Sequence, residues 1–216
     1  MRLYKKKFNF FKSETFLDKL FNSFLMIILI NWLFQGARGM QYKEFLFRII
    51  TEIFLIIFFY KIIKINLLFS IVISHTIFWI FFCQFWLILR YFPFYTNNLN
   101  SMNVTFKKLI QKVQDFQYLN EAVIIGSLSK EKKISNVNSD LDLRIFFPKK
   151  IKGFFIVNFF LNYLRLYSFF VKFPLDIYSY NNFDVLKKID KKDEILIVKD
   201  KKKKLMKYIK KNENKF

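Results

Sequence analysis

Apolar residues fall in continuous blocks over the first half of the chain and alternate with polar ones over much of the second. The blocks are LFNSFLMIILINWLF (Leu20 to Phe34), IITEIFLIIFFYKII (Ile49 to Ile63) and LLFSIVISHTIFWIFFCQFWLILRYF (Leu67 to Phe92). A helix needs about 20 apolar residues to cross the hydrocarbon core, so only the third block is comfortably long enough. The second carries Glu52 and Lys61, which are costly in lipid unless they lie near an interface or face a partner helix. Trp32, Trp79, Trp86 and Tyr91 suit membrane boundaries, with Arg90 and the MRLYKKK start as flanking anchors. Both flanks are basic, which places both in the cytoplasm and favours two crossings, the remaining block lying in the interface or packed on its neighbours. A cleavable signal peptide fits badly, because the apolar run comes late and no small-residue cleavage pattern follows it. The competing reading is the helical hairpin of a soluble protein with an oily core.

After Tyr95 the pattern changes. Pro93 and the Asn/Ser cluster that follows read as a break, with a linker over 96–103 separating a helical, membrane-associated region (1–95) from a domain over 104–200. In that domain Phe106, Leu109, Ile110, Val113 and Phe116 recur at helical spacing, with lysines on the other face. EAVIIGS reads as a short buried strand entering a glycine turn. DLDLRIFF alternates, so Leu141, Leu143 and Ile145 point one way and Asp140, Asp142 and Arg144 the other. The apolar run from Gly153 to Phe173 predicts a helix packed on the sheet and stopped by Pro174. PLDIYSY then repeats the alternation, with Leu175 and Ile177 on one face and Asp176 and Tyr178 on the other. Residues 201–216 form a basic tail, read first as a solvated end and next as a contact with anionic lipid.

The net charge of the chain is +21 in 216 residues, of which 54% are apolar. Residues 1–103 hold 12 basic and 4 acidic groups, and residues 104–216 hold 25 and 12. Such an excess favours anionic partners: lipid head groups, nucleotide phosphates or nucleic acid, the last least favoured. An AT-rich genome, which raises Lys, Ile, Asn and Phe together, accounts for the same composition. The single cysteine, Cys83, leaves no internal disulfide and no thiolate cluster. The single histidine, His75, lies in an apolar block and reads as a packed residue, so metal chemistry falls to carboxylates.

Three motifs now stand in order: Gly126-Ser127 at a strand end, Ser139-Asp140-Leu141-Asp142 on the next strand, and Leu175-Asp176-Ile177 on a third. This set resembles the DNA polymerase beta-like nucleotidyltransferase superfamily, in particular its minimal nucleotidyltransferase members, over roughly residues 104–180. The loop between Ser127 and Asp140 is longer than many minimal members show and lacks their Arg-x-Gly sequence. The resemblance implies an α/β (α+β) nucleotidyltransferase domain with a small mixed sheet, behind the α-helical membrane-associated region. It implies that Asp140, Asp142 and Asp176 bind two Mg²⁺ ions and carry catalysis, and that Gly126, Ser127 and Ser139 contact the nucleotide. Two-metal transfer needs cations about 3.5 to 4 Å apart. Carboxylates on alternate residues of one strand face can converge on such a pair, since their Cα atoms are about 6.5 to 7 Å apart. Lys130, Lys132 and Lys133 are candidates to guide a triphosphate, or simply belong to a solvated loop. The expected activity is transfer of a nucleoside monophosphate from NTP to an acceptor, at the membrane and on its cytoplasmic side, the acceptor being a lipid-linked sugar or surface-glycan precursor. The alternatives are a soluble-type modifier of antibiotic, protein or RNA, and an inactive nucleotide-binding membrane scaffold.

Overall fold

The apolar first half folds as helices: Phe24–Phe34 (α1), Tyr42–Ile57 (α2), Leu67–Phe82 (α3) and Phe85–Leu89 (α4). α2 runs on through a π-helical turn, Phe58–Ile62. The computed structural model describes residues 23–212, apart from 36, 38, 84, 91, 93, 94, 127, 130–132, 148, 149 and 190–193. The third apolar block is not one continuous helix. Cys83 leaves helical geometry at φ −116° and ψ 37°, so α3 ends after 16 residues. Leu99–Asp115 (α5) begins inside the stretch read as linker, with the Asn98 side chain accepting from the Asn100 amide at 2.8 Å as its cap. Met102, Phe106, Leu109 and Val113 form its buried stripe.

The expected strands follow as Glu121–Ile125 (β1), Leu141–Phe146 (β2) and, after the helix Ile151–Phe170 (α6), Leu175–Tyr180 (β3). Ile195–Asp200 (β4) and the helix Lys204–Lys211 (α7) complete the chain. β1 pairs antiparallel with β2 and with β4, while β2 pairs parallel with β3, giving the mixed order β3-β2-β1-β4. A parallel pair needs a long crossover, and α6 supplies it. Leu141, Leu143 and Ile145 face α5 and α6 in the larger core, as the alternation requires. The opposite face is only partly covered, by Leu186 and by Leu205 of α7, so the basic tail includes a helix that packs on the sheet.

The two regions read from the sequence share one interior. Phe47 of α2 packs edge-on against Phe159 of α6 at 5.2 Å, and the Trp86 indole of α4 donates to the Phe169 carbonyl at 2.8 Å. Between them lies a buried charge cluster. Glu44 of α2, wholly buried, accepts from Arg48 at 3.0 Å and from Arg165 of α6 at 2.6 Å. Its second oxygen accepts from the Ser179 amide of β3 at 2.7 Å. Burial alone would raise the Glu44 carboxyl, but Arg165 and Arg48 outweigh it and hold it below its ordinary value. Glu52 does face a partner helix, meeting His75 of α3 at 2.6 Å.

Among the described residues α6 is the one helix long and apolar enough to cross a membrane. Its inner stripe nevertheless includes Asn158, Asn162 and Arg165, all buried against protein. Large apolar side chains remain exposed on α1, α2 and α3, among them Leu25, Phe54 and Leu68 at 74%, 68% and 67%.

Candidate active site

β1 ends at Gly126, whose φ of +80° only glycine adopts without strain. The turn brings the backbone close to the next strand: a Cβ on Gly126 would stand 3.1 Å from Asp142 Oδ2. On β2 the alternation puts Asp142 and Arg144 on the sheet face away from α5 and α6. The parallel register with β3 makes Asp142 the direct partner of Asp176, and Arg144 that of Tyr178. Neighbouring strands lie about 4.8 Å apart, so the register alone crowds two carboxylates together. Asp140 follows the turn that enters β2 and adds a third.

Two arginines answer them. Arg144 reaches Asp176 Oδ2 at 2.8 Å and the Asp176 carbonyl at 3.0 Å, stands 3.7 Å from Asp142, and lies over the Tyr178 ring at 5.1 Å. Arg90, buried just beyond α4, reaches Asp140 Oδ2 at 2.7 Å. Arg90 is therefore not a membrane anchor. The resident counter-charge beside the aspartates is guanidinium, where the sequence pointed to metal and phosphate.

The balance is incomplete on this face. Burial, Asp140 and Asp176 together push the Asp142 carboxyl up to about 9, and Arg144 offsets this only in part. For Arg144 burial opposes the charge, but Asp176 and Asp142 prevail and its proton is held more tightly than usual. Burial likewise pushes the Tyr180 hydroxyl up to about 12. Among the described residues no group of three or more His, Cys, Asp or Glu side chains is gathered as a ready-made metal site. Asp140 is turned onto Arg90, and Asp176 onto Arg144.

A cleft of about 820 Å³ opens beside Asp142 and Arg144. Gly126 and Ile125 form one wall, and Tyr180, Asn182 and Val185 contribute another. The segment Gly39 to Gln41, ahead of α2, closes a third side. It is pinned there by the Tyr180 hydroxyl donating to the Gly39 carbonyl at 2.8 Å and by the Asn181 amide donating to Gln41 at 3.0 Å. Size and mixed lining suit a small-molecule ligand.

The structure thus brings Gly126, Asp142 and Asp176 together, with Asp140 at the edge. Ser139 lies in the turn before β2, its amide donating to the Asn136 carbonyl at 3.0 Å, and is not among the cleft-lining residues described. Ser127, Lys130 and Lys132 lie outside the described residues, while Lys133 is exposed. The sequence reading missed Arg90 as a site residue. No local signal could have found it, because it pairs with an aspartate 50 positions away. Arg144 was legible as a neighbour on the same face, but its grip on Asp176 depends on a register that alternation does not encode. No protein-family model, curated protein or solved structure matches this chain.

Proposed function

We propose that the chain is a metal-dependent nucleotidyltransferase held at a membrane, moving a nucleoside monophosphate from NTP to an acceptor. The observation that carries this reading is the pairing of Asp142 with Asp176 across parallel strands, with Asp140 near and the Gly126 turn against Asp142, the one of the three that lines a nucleotide-sized cleft. The donor chemistry suits a divalent cation once the side chains regroup: three carboxylates stand near two guanidiniums, and the proton that Asp142 holds up to about 9 is the charge a cation would replace. Asp140, Asp142 and Asp176 would hold Mg²⁺, which suits all-oxygen ligands and phosphate. When bound, the metal supplies charge neutralisation at the phosphates and activation of the acceptor oxygen. The chain's own contribution is placement. Gly126 leaves room for phosphate where a side chain would intrude, and Arg144 holds Asp176 in position while offering a positive charge on the cleft wall.

Membrane association rests on the exposed apolar surface of α1, α2 and α3. At 11 and 16 residues, α1 and α3 are about 16 and 24 Å long, short of the roughly 30 Å hydrocarbon core. They insert from the cytoplasmic side without crossing the bilayer, and the sheet domain stays where NTP is available. The protein is expected to remain with membranes through a high-salt wash and to leave them in detergent. Release by salt alone would assign the attachment to lysines and remove the inserted helices.

The test of the enzyme reading is thermal unfolding with Mg²⁺ and each NTP, followed by transfer of labelled NTP into a membrane lipid extract. A gain in stability that needs both Mg²⁺ and nucleotide supports the site, and none with any NTP refutes it. One observation favours a second reading, an inactive nucleotide-binding scaffold: both outer aspartates are already engaged by arginines. Magnesium-dependent binding with no transfer to any acceptor would select it.

A further inference from the structure

α6 is built the opposite way round from an ordinary surface helix, which turns its polar residues outward. Its buried side holds Asn158, Asn162 and Arg165. Its outer side presents Ile151, Phe155, Phe159 and Tyr163, each four residues after the last, with Phe170 on the same side. Ile151, Phe159 and Phe170 are exposed at 77%, 62% and 69%. The stripe continues the apolar surface of α2. Phe47 of α2 meets the Phe155 and Phe159 rings at 6.1 and 5.2 Å, and Phe54, two turns further along the same side of α2, is exposed.

The border of the stripe is basic. Lys150 and Lys152 stand exposed at the start of α6, and Lys172 just past its end. Along the flank, Lys112 of α5 donates to the Tyr163 hydroxyl at 2.6 Å and lies over the Tyr163 and Tyr167 rings at 5.0 and 4.9 Å. Lys108, one turn earlier and exposed, shares that side of α5. α6 itself has no acidic residue, and on this side of α5 the one carboxylate is Asp115.

Crossing a bilayer is closed to α6, because Arg165 is tied inside the protein to Glu44 and to the Ile177 carbonyl. A second copy laid on the stripe would set its lysines against these lysines. An anionic bilayer matches both parts of the surface: acyl chains take the aromatic stripe and headgroup phosphates take the ammonium groups, as for a helix lying in the interface. We infer that α6 lies flat in the headgroup region of an anionic membrane, its outer stripe at the acyl boundary and its lysine border on the phosphates. The α/β domain then rests on the bilayer by a contact of its own, instead of hanging from α1, α2 and α3. The inference extends the membrane attachment proposed above and does not depend on the transferase reading.

The experiment uses the full chain on lipid vesicles, spin-labelled at one introduced cysteine: Phe159→Cys or Phe170→Cys on α6, Phe54→Cys on α2, or Lys207→Cys on α7. Cys83 is buried, and the unsubstituted protein taken through the same labelling corrects for uptake there. Collisions with oxygen, which concentrates in hydrocarbon, are compared with collisions with a water-soluble nickel chelate. On vesicles of phosphatidylcholine with phosphatidylglycerol, the two α6 labels are expected to meet oxygen more than nickel, as the α2 label does, and the α7 label the reverse. On phosphatidylcholine alone the α6 labels should move toward water while the α2 label stays. Lys108→Gln with Lys152→Gln should lower the ratio of inserted to water-exposed α6 label about 25-fold on the anionic vesicles, about fivefold for each lysine.

Labels on α6 that meet nickel while the α2 label meets oxygen would leave the domain hanging from the N-terminal helices and overturn the inference. So would α6 labels shielded from both reagents, the mark of a protein partner or a second copy. Insertion of α6 indifferent to lipid charge and to the two lysines would overturn the choice of an anionic surface. An α2 label that meets nickel removes the attachment proposed above, and the α6 labels still decide the inference by themselves.

Discussion

Glu44→Gln is the sharpest perturbation the fold offers, because one side chain ties α2, α6 and β3 together. The substitution nearly keeps the shape and removes the charge. Two buried guanidiniums, Arg48 and Arg165, then have lost their carboxylate, and the new amide turns a donor toward donors. Breaking a buried pair by removing one partner destabilises by about 3 to 5 kcal/mol. For a chain of this length about 1 kcal/mol moves the midpoint by roughly 2 to 4 °C, so the expected loss in Tm is on the order of 6 to 20 °C. That is a large part of a typical stability of about 5 to 15 kcal/mol.

The assay is thermal and urea unfolding of both proteins in the same detergent, repeated across acid pH. The folded Glu44 carboxyl titrates below its ordinary value of 4.5, so its stabilisation is fully present above that pH and is lost as pH falls through the folded value. The variant should lack this part of the acid transition. Glu44→Asp, which keeps the charge but not the reach, should recover part of the loss. A destabilisation under about 1 kcal/mol, or an acid transition unchanged in the variant, would refute a cluster that joins the two regions.

Asp142→Asn should stabilise the metal-free protein at pH 7. The folded carboxyl is raised to about 9, so the fold loses stability as pH rises from 3.8 toward 9, and Asn removes that dependence. Unscreened, the gain at pH 7 would be about 4 kcal/mol. The side chain keeps 31% of its surface accessible, and solvent reduces the gain to about 1 to 2 kcal/mol, read as a pH-dependent difference in Tm that vanishes below pH 4. In the unsubstituted protein Mg²⁺ must displace the Asp142 proton, so calorimetric Mg²⁺ affinity should be higher at pH 9 than at pH 7. Arg144→Met should lower Tm without metal and enlarge the Mg²⁺-induced rise, since it removes the resident cation from Asp176; an unchanged Mg²⁺ response would deny that competition. Gly126→Ala should destabilise by about 1 to 2 kcal/mol through its positive φ and weaken the Mg²⁺ and NTP effect by crowding Asp142.

What the sequence made legible was the part governed by local periodicity. Alternation in DLDLRIFF and PLDIYSY placed Asp142 and Asp176 on strands, while Asp140, read with them, stands just ahead of β2; helical spacing found α5, and the length of the apolar run found α6. β4 escaped because its apolar run, Ile195 to Val198, is only four residues long and ends at Lys199, which reads as a surface residue. In the fold that ammonium is buried and donates to carbonyls at the end of α5, Phe116 at 2.8 Å among them, so the lysine caps a helix from the neighbouring strand. α7 was obscured by its lysines, although Leu205, Tyr208 and Ile209 keep helical spacing toward the sheet. The break at Cys83 carries no Pro or Gly to announce it. Glu44, Arg48 and Arg165 were silent for a different reason: a charge beside or within an apolar run reads the same whether it meets water, lipid or a partner across 121 positions.

The same limit governs the site, and there it bears on function. Alternation could say that Asp140 and Asp142 share a face, but not what tolerates them. The fold supplies guanidinium to Asp140 and Asp176 and leaves Asp142, the aspartate that lines the cleft, with a carboxyl driven toward neutrality. A purely structural network would gain by balancing its charges, since a buried charge without a counter-charge is destabilising. Here the balance is completed by a proton on Asp142 at the wall of the cleft, where a cation can displace it. A perturbed carboxylate in a cleft marks a candidate functional site, as a structural ion-pair network can also produce one, and the test is whether Mg²⁺ with nucleotide stabilises the protein more than either does alone.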